Sequence, residues 1–168
     1  LGVGESGEII LTGPQMSQGY YKKPEESAEA FRDGWFHTGD IGYMDEDGYI
    51  RIVDRTKDMI IVGGFKVFSS KVESAISEHP AIGLLALIGV ENPERPGSEI
   101  VKAFVVPKAG MSPRPKVTED IKAFVKARLA AHEYPREIEF VSELPMTATG
   151  KIMRKELKKL EEDRKSKV

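Results

Sequence analysis

Cysteine is absent from all 168 residues. That excludes disulfides, thiol catalysis and cysteine-ligated metal, and it agrees with the cytoplasmic location expected here. Long apolar runs are absent too. No stretch nears the about 20 residues that a bilayer-spanning helix needs, so only peripheral association with a membrane is left as an option. Excess charge of one sign is missing: 25 Lys and Arg face 27 Asp and Glu, for a net charge of -2. Nothing global therefore attracts nucleic acid or an acidic membrane. The basic run over residues 151–168 reads as a solvated helix face, and no nucleic-acid partner is expected. The three histidines, His37, His79 and His132, lack ligand spacing, so no metal site is expected. No Ser–His–Asp arrangement and no GxxxxGK[ST] phosphate loop is present. The chain opens Leu1-Gly2-Val3-Gly4-Glu5 with neither Met nor a signal pattern, and reads as cut from something longer.

What is there is ordinary for a folded protein: 40% apolar and 31% charged residues. The length suits two small lobes. The first third reads as β-rich. Strands are expected over Glu8–Thr12, Trp35–Tyr43 and Tyr49–Val53, with a helix over Pro24–Phe31. Asp45-Glu46-Asp47-Gly48 is a hairpin signal between the last two strands. A boundary is expected at Arg55, separating 1–54, the β-rich end of a larger domain, from 55–168. The second part is expected to be an α+β domain with a short mixed sheet and flanking helices. Its first apolar run, Met59–Val62, stops at Gly63-Gly64. Ser70-Lys71-Val72-Glu73 matches a capping box, and Thr118 is the expected cap of a later helix striped by Ile121, Phe124, Val125 and Leu129. Leu84–Val90, Ile100–Val106 and Ile138–Val141 are expected strands, with a loop over 107–115. Met153, Leu157 and Leu160 mark the last helix.

Several residues offer chemistry. Asp40 ends His37-Thr38-Gly39-Asp40; its carboxylate suits two hydrogen bonds from a vicinal diol such as ribose, or alternatively local backbone donors in a turn. Arg55 suits a ribose hydroxyl or a phosphate, or an ion pair with Asp54 or Asp58. Lys57, at the expected boundary, is placed to absorb a backbone rotation, or is a solvated loop residue. Gly63 and Gly64 permit close backbone approach, to a ligand or to a neighbouring strand. Lys66 suits a phosphate or simply the surface. Lys151 ends Pro145-Met146-Thr147-Ala148-Thr149-Gly150-Lys151. When a carboxylate attacks the α-phosphate of ATP, negative charge builds up, and a positioned ammonium stabilises it; losing such a donor costs about 3–4 kcal/mol. A lysine starting a helix opposes the macrodipole, which argues for another use of its charge.

In this order, these motifs resemble those of the AMP-forming acyl-CoA synthetases of the adenylate-forming superfamily. The resemblance rests on Gly7-Glu8-Ile9, Gly13-Pro14-Gln15-Met16, Gly19-Tyr20-Tyr21, Gly34-Trp35-Phe36-His37-Thr38-Gly39-Asp40, Asp54-Arg55-Thr56-Lys57-Asp58-Met59-Ile60 and Glu143-Leu144-Pro145 through Lys151. Within the superfamily, Met59–Glu73 and Tyr134–Arg154 look most like fatty acyl-CoA ligases. The resemblance implies that Asp40 and Arg55 hold the ribose of ATP, Lys57 is the hinge, and Lys151 is the adenylation lysine. It also implies that Gly63, Gly64 and Lys66 line the coenzyme A path. ATP, Mg2+, a fatty acid and coenzyme A are the implied small molecules. A carrier-protein-loading adenylation domain and a non-enzymatic regulatory module share the pattern as alternatives. The departures are Met146 for a common lysine, Gly63 for a frequent serine, Lys66 for Arg or Asn, and His132-Glu133 near the coenzyme path. The family's phosphate loop, its adenine motif and its acyl pocket lie upstream of these residues. The chain alone is therefore expected to be inactive, and acyl length is not written in it.

Overall fold

Trp35–Met44, an apolar stretch broken by two glycines, forms the strand β3 around which the first part of the chain is built. We describe a computed structural model over residues 1–111 and 114–166; Ser112 and Pro113 of the expected 107–115 loop, and Lys167 and Val168 of the charged tail, lie outside it. The chain divides into two units, Leu1–Lys57 and Asp58–Val168. The strand β4 runs to Arg55 and a turn covers residues 56–58, which places the division three residues beyond the expected boundary.

In the first unit, β1 (Gly7–Leu11), α1 (Pro24–Ala30), β2 (Phe31–Arg32), β3 and β4 (Ile50–Arg55) make an antiparallel four-stranded sheet with one short helix. Phe31 leaves the expected helix to open β2, where it pairs with Phe36 and its ring packs 4.8 Å from that partner. β1 follows one edge of β3, while β2 and β4 share the other, because Phe36 and Gly42 each have partners on both sides. The Asp45–Gly48 turn forms as expected. The Asp45 carboxylate accepts the N–H groups of Asp47 and Tyr49 and the Arg51 Nε–H, at 2.9–3.2 Å.

The second unit contains β5 (Ile60–Val62), β6 (Phe65–Val67), α2 (Ser69–Ser77), β7 (Ile82–Glu91), β8 (Glu99–Pro107), α3 (Pro115–Lys126), β9 (Glu137–Phe140) and α4 (Arg154–Lys165). β7 and β8 pair antiparallel; β9, returning after α3, pairs parallel to β8. The near-continuous apolar character of β7 and β8 follows from cover on both faces. Leu85, Leu87, Val101, Ala103 and Val105 pack with Val72 and Ile76 of α2 and Ile121 and Val125 of α3. The alternate residues Ala86, Ile88, Val90 and Phe104 pack with Leu157 of α4 and with Leu144 of the segment before it. No helix among the described residues is long and apolar enough to cross a membrane.

Three local expectations are corrected. The α2 cap is Phe68, with no side-chain cap hydrogen bond, because Ser69 is already helical and its hydroxyl donates to the Asp58 carbonyl. Glu73 is used elsewhere, as described below. Thr118 lies inside α3, which starts at Pro115, a residue whose fixed φ suits the first helical turn. Lys151 is not a helix-start residue: α4 begins at Arg154, so the macrodipole argument does not apply to it.

Candidate functional site

The β3–β4 register sets Asp40 opposite Arg55, and the Arg55 Nε–H donates to Asp40 Oδ1 at 3.1 Å. This partner differs from the expected Asp54 or Asp58. Asp54 is buried and accepts the Arg55 backbone N–H at 2.8 Å, and Asp58 turns to the second unit's Arg154. Asp40 is held from behind. Its N–H donates to Thr38 Oγ1, which donates to the Ile9 carbonyl, and the neighbouring Gly39 N–H donates to Glu8. The hydrogen bond from His37 depresses the Glu8 carboxyl below its ordinary value, further than burial raises it, and the Gly39 N–H adds to this. The Arg55 side chain is 69% exposed, so the pair is worth at most about 1 kcal/mol. Lys57 is exposed in the turn that follows β4.

Gly63 and Gly64 form the two-residue connection of the β5–β6 hairpin, with φ of 59° and 91°. Positive φ at both positions is the type I′ requirement that glycine meets without strain. The glycine pair thus joins two strands where the sequence suggested only a stop, and β6 carries Lys66, exposed, opposite Ile61. The adjacent Phe65, 60% exposed, stacks on His132 with ring centroids 4.5 Å apart. Glu133 beside it pairs with Lys71 at 2.9 Å. His132-Glu133, the departure noted in the sequence, therefore abuts this hairpin.

Lys151 occupies a separate, tightly closed turn of the second unit. Met146 bridges Ile152 antiparallel, and the Thr147 N–H donates to the Lys151 carbonyl at 2.8 Å. The Lys151 N–H donates back to Thr147 Oγ1 at 3.1 Å, and Gly150, at φ 79°, closes the turn onto the Thr147 carbonyl. The backbone is fixed while the ammonium stands in solvent with no ion-pair partner among the described residues.

Three residues past Lys151, Arg154 reaches Glu73 at 2.6 Å and Asp58 at 3.4 Å. Glu73 also accepts the Leu87 N–H at 2.8 Å. Arg154 thereby ties the start of α4 to α2, to the central sheet and to the first residue of the second unit. Sequence reading missed this node. The capping-box match claimed Glu73, and no local pattern links residues 81 positions apart.

Residues 71–151 match the family model of the AMP-binding enzyme C-terminal domain. The chain is 50% identical over 159 residues to a long-chain-fatty-acid–CoA ligase of Bacillus subtilis, a match covering 95% of this chain and 27% of the relative. A 2-succinylbenzoate–CoA ligase of Geobacillus kaustophilus is 44% identical over 93% of this chain and 31% of its own length. Among solved structures, the ATP-bound RpMatB-BxBclM chimera B1 superposes with a TM-score of 0.85 at 40% identity, over 95% of this chain and 31% of that one. Residues 71–151 thus match the AMP-binding enzyme C-terminal domain, and the chain as a whole is similar to ligases of the adenylate-forming superfamily. It spans under a third of the length of these ligases, whose acids differ. In this chain, Asp40 and Arg55 are brought together on one sheet, the Gly63-Gly64 turn and Lys66 share one hairpin, and Lys151 stands on its own turn. Among the described residues no group of three or more His, Cys, Asp or Glu is arranged to hold a metal ion.

Proposed function

We propose that these residues act as the C-terminal part of an ATP-dependent, AMP-forming ligase that activates a fatty acid and passes it to coenzyme A. A carboxylate oxygen bonds to the α-phosphorus of ATP and pyrophosphate leaves, giving the acyl-adenylate. The coenzyme A thiol then gives up its proton, its sulfur bonds to the acyl carbon, and AMP leaves. Asp40 accepts the ribose hydroxyls, with Arg55 beside it. Lys151 meets the charge that builds up during the first step. Rotation about Lys57 brings the face bearing Gly63, Gly64 and Lys66 to the thiol in the second step, a hinge closure of the kind that gates many enzymes.

The observation that carries this reading is the Lys151 turn: a backbone locked at both ends that presents an unpaired ammonium. A rigidly held charge needs no reorganisation when the reaction demands it. Pyrophosphate release by the complete polypeptide, measured across short, aromatic and long-chain acids, tests it. Release is expected with long-chain acids, followed by thioester formation with free coenzyme A. Transfer to a carrier protein in place of free coenzyme A would favour an adenylation domain. The absence of pyrophosphate release with every acid would refute the enzymatic reading.

A further inference from the structure

The β5–β6 hairpin is only two short strands, and a two-stranded ribbon is marginal alone in water. Its outer edge presents the N–H groups of Ile61 and Gly63, alternate residues of one strand line. Among the described residues no further strand of the sheet takes them up. Instead two side chains from the start of β8 do so. Glu99 Oε2 accepts the Ile61 N–H at 2.7 Å, and Ser98 Oγ accepts the Gly63 N–H at 2.9 Å. Both acceptors are anchored. Ser98 is 9% exposed, and its N–H and carbonyl are engaged by Arg95 and Asn92. The Glu99 carboxylate lies over Gly89 of β7, where a Cβ would overlap it. Two adjacent side chains thus replace a neighbouring strand and grip the very residue that opens the Gly63-Gly64 turn.

We propose that Ser98 and Glu99 are positioning residues for thioester formation. They hold the Gly63-Gly64 turn in the place where the pantetheine arm passes, and Gly89 provides the space that makes the Glu99 grip possible. The inference rests on the proposed coenzyme A reading of that turn. It assigns no contact with substrate to either residue. Weakening the grip leaves the Lys151 turn untouched, so the two half-reactions separate.

The test has two arms. In the 168-residue chain, amide hydrogen exchange at Ile61 and Gly63 is followed for Ser98→Ala, Glu99→Ala, Glu99→Gln and Gly89→Ala. Ser98→Ala is expected to speed exchange at Gly63, and Glu99→Ala and Gly89→Ala at Ile61, each about tenfold. Glu99→Gln, which keeps a carbonyl acceptor, should restore most of the protection. In the complete polypeptide, the same variants are assayed for pyrophosphate release and, separately, for thioester formation from supplied acyl-adenylate. Thioester formation is expected to fall about tenfold, with a raised KM for coenzyme A and with Glu99→Gln near wild type, while pyrophosphate release holds. General destabilisation would lower both steps together and would overturn the proposal. Unchanged exchange, or faster exchange with unchanged thioester formation, would also overturn it. A wild-type polypeptide that forms adenylate but no coenzyme A thioester would instead overturn the reading on which it rests.

Discussion

Arg154 and Glu73 are 81 residues apart in the chain and 2.6 Å apart in space. Their side chains are 18% and 16% exposed, so the pair is largely shielded from solvent. The Arg154 fork is shared with Asp58, and its Nε is buried with no hydrogen-bond partner among the described residues. An arginine serves here because one planar guanidinium can address two carboxylates that come from different elements.

Removing this arginine leaves two carboxylates facing each other in a partly dry site. Arg154→Ala is expected to destabilise the second unit by about 2–4 kcal/mol. Arg154→Lys should recover only part of that, since an ammonium cannot span both acceptors. Urea unfolding of the 168-residue chain checks this through a lower midpoint at unchanged slope. A midpoint equal to wild type for Arg154→Ala would show that the node contributes nothing.

The Asp40–Arg55 pair predicts a different pattern. Arg55 is exposed and Asp40 half-buried, and the ion pair between them is open to solvent, so Asp40→Ala should cost the first unit no more than about 1 kcal/mol. In the complete polypeptide it should raise the KM for ATP about tenfold or more, as expected for lost hydrogen bonds to a charged group. A large stability loss with an unchanged KM would assign Asp40 to structure and not to ribose.

His79 predicts a pH dependence. It is 8% exposed, its ring lies edge-on to Phe124 at 5.1 Å, and Nδ1 accepts the Ala81 N–H at 3.2 Å. Nδ1 as acceptor means the neutral ring with its proton on Nε2. Burial lowers its pKa below the usual 6.5, partly opposed by Asp120. A base with a depressed pKa in the folded state binds fewer protons there than when unfolded. Its stabilising contribution is therefore complete above pH 6.5 and is lost as pH falls through the folded value. Thermal melts of the second unit between pH 7.5 and 5 should show falling midpoints, and His79→Gln should flatten that slope. Equal slopes in both proteins would contradict it.

A core prediction follows from the α4 anchor. Leu157 is 2% exposed among Ile88, Phe104 and Leu144, whereas Leu160 of the same expected stripe is 47% exposed. Leu157→Ala should cost about 2–5 kcal/mol and Leu160→Ala under 1. Denaturant unfolding of the two variants distinguishes them.

Much of this architecture was legible because the patterns that create it are local. The strands around Trp35–Met44, Ile82–Glu91 and Glu99–Pro107 show in apolar runs, and the Asp45–Gly48 turn shows in its Asp-Gly pair. What escaped depends on tertiary competition. Ser70 to Glu73 satisfies a capping pattern, yet Glu73 gains more from the Leu87 N–H and Arg154 than a helix end would offer it. β6 is only three residues long, too short for alternation to register, and it exists because Gly63-Gly64 can turn the chain back on β5. Among the candidate site residues, the Asp40–Arg55 pairing needed the β3–β4 register, and the grip of Ser98 and Glu99 on the hairpin edge has no sequence signature at all.

The measurement that bears most directly on the central claim is a half-reaction comparison for Lys151→Ala in the complete polypeptide. Acyl-adenylate formation should fall by about a hundredfold or more, as for other removed charge-stabilising donors. Thioester formation from supplied acyl-adenylate should stay close to wild type. Equal losses in the two steps, or adenylation at the normal rate, would contradict the account.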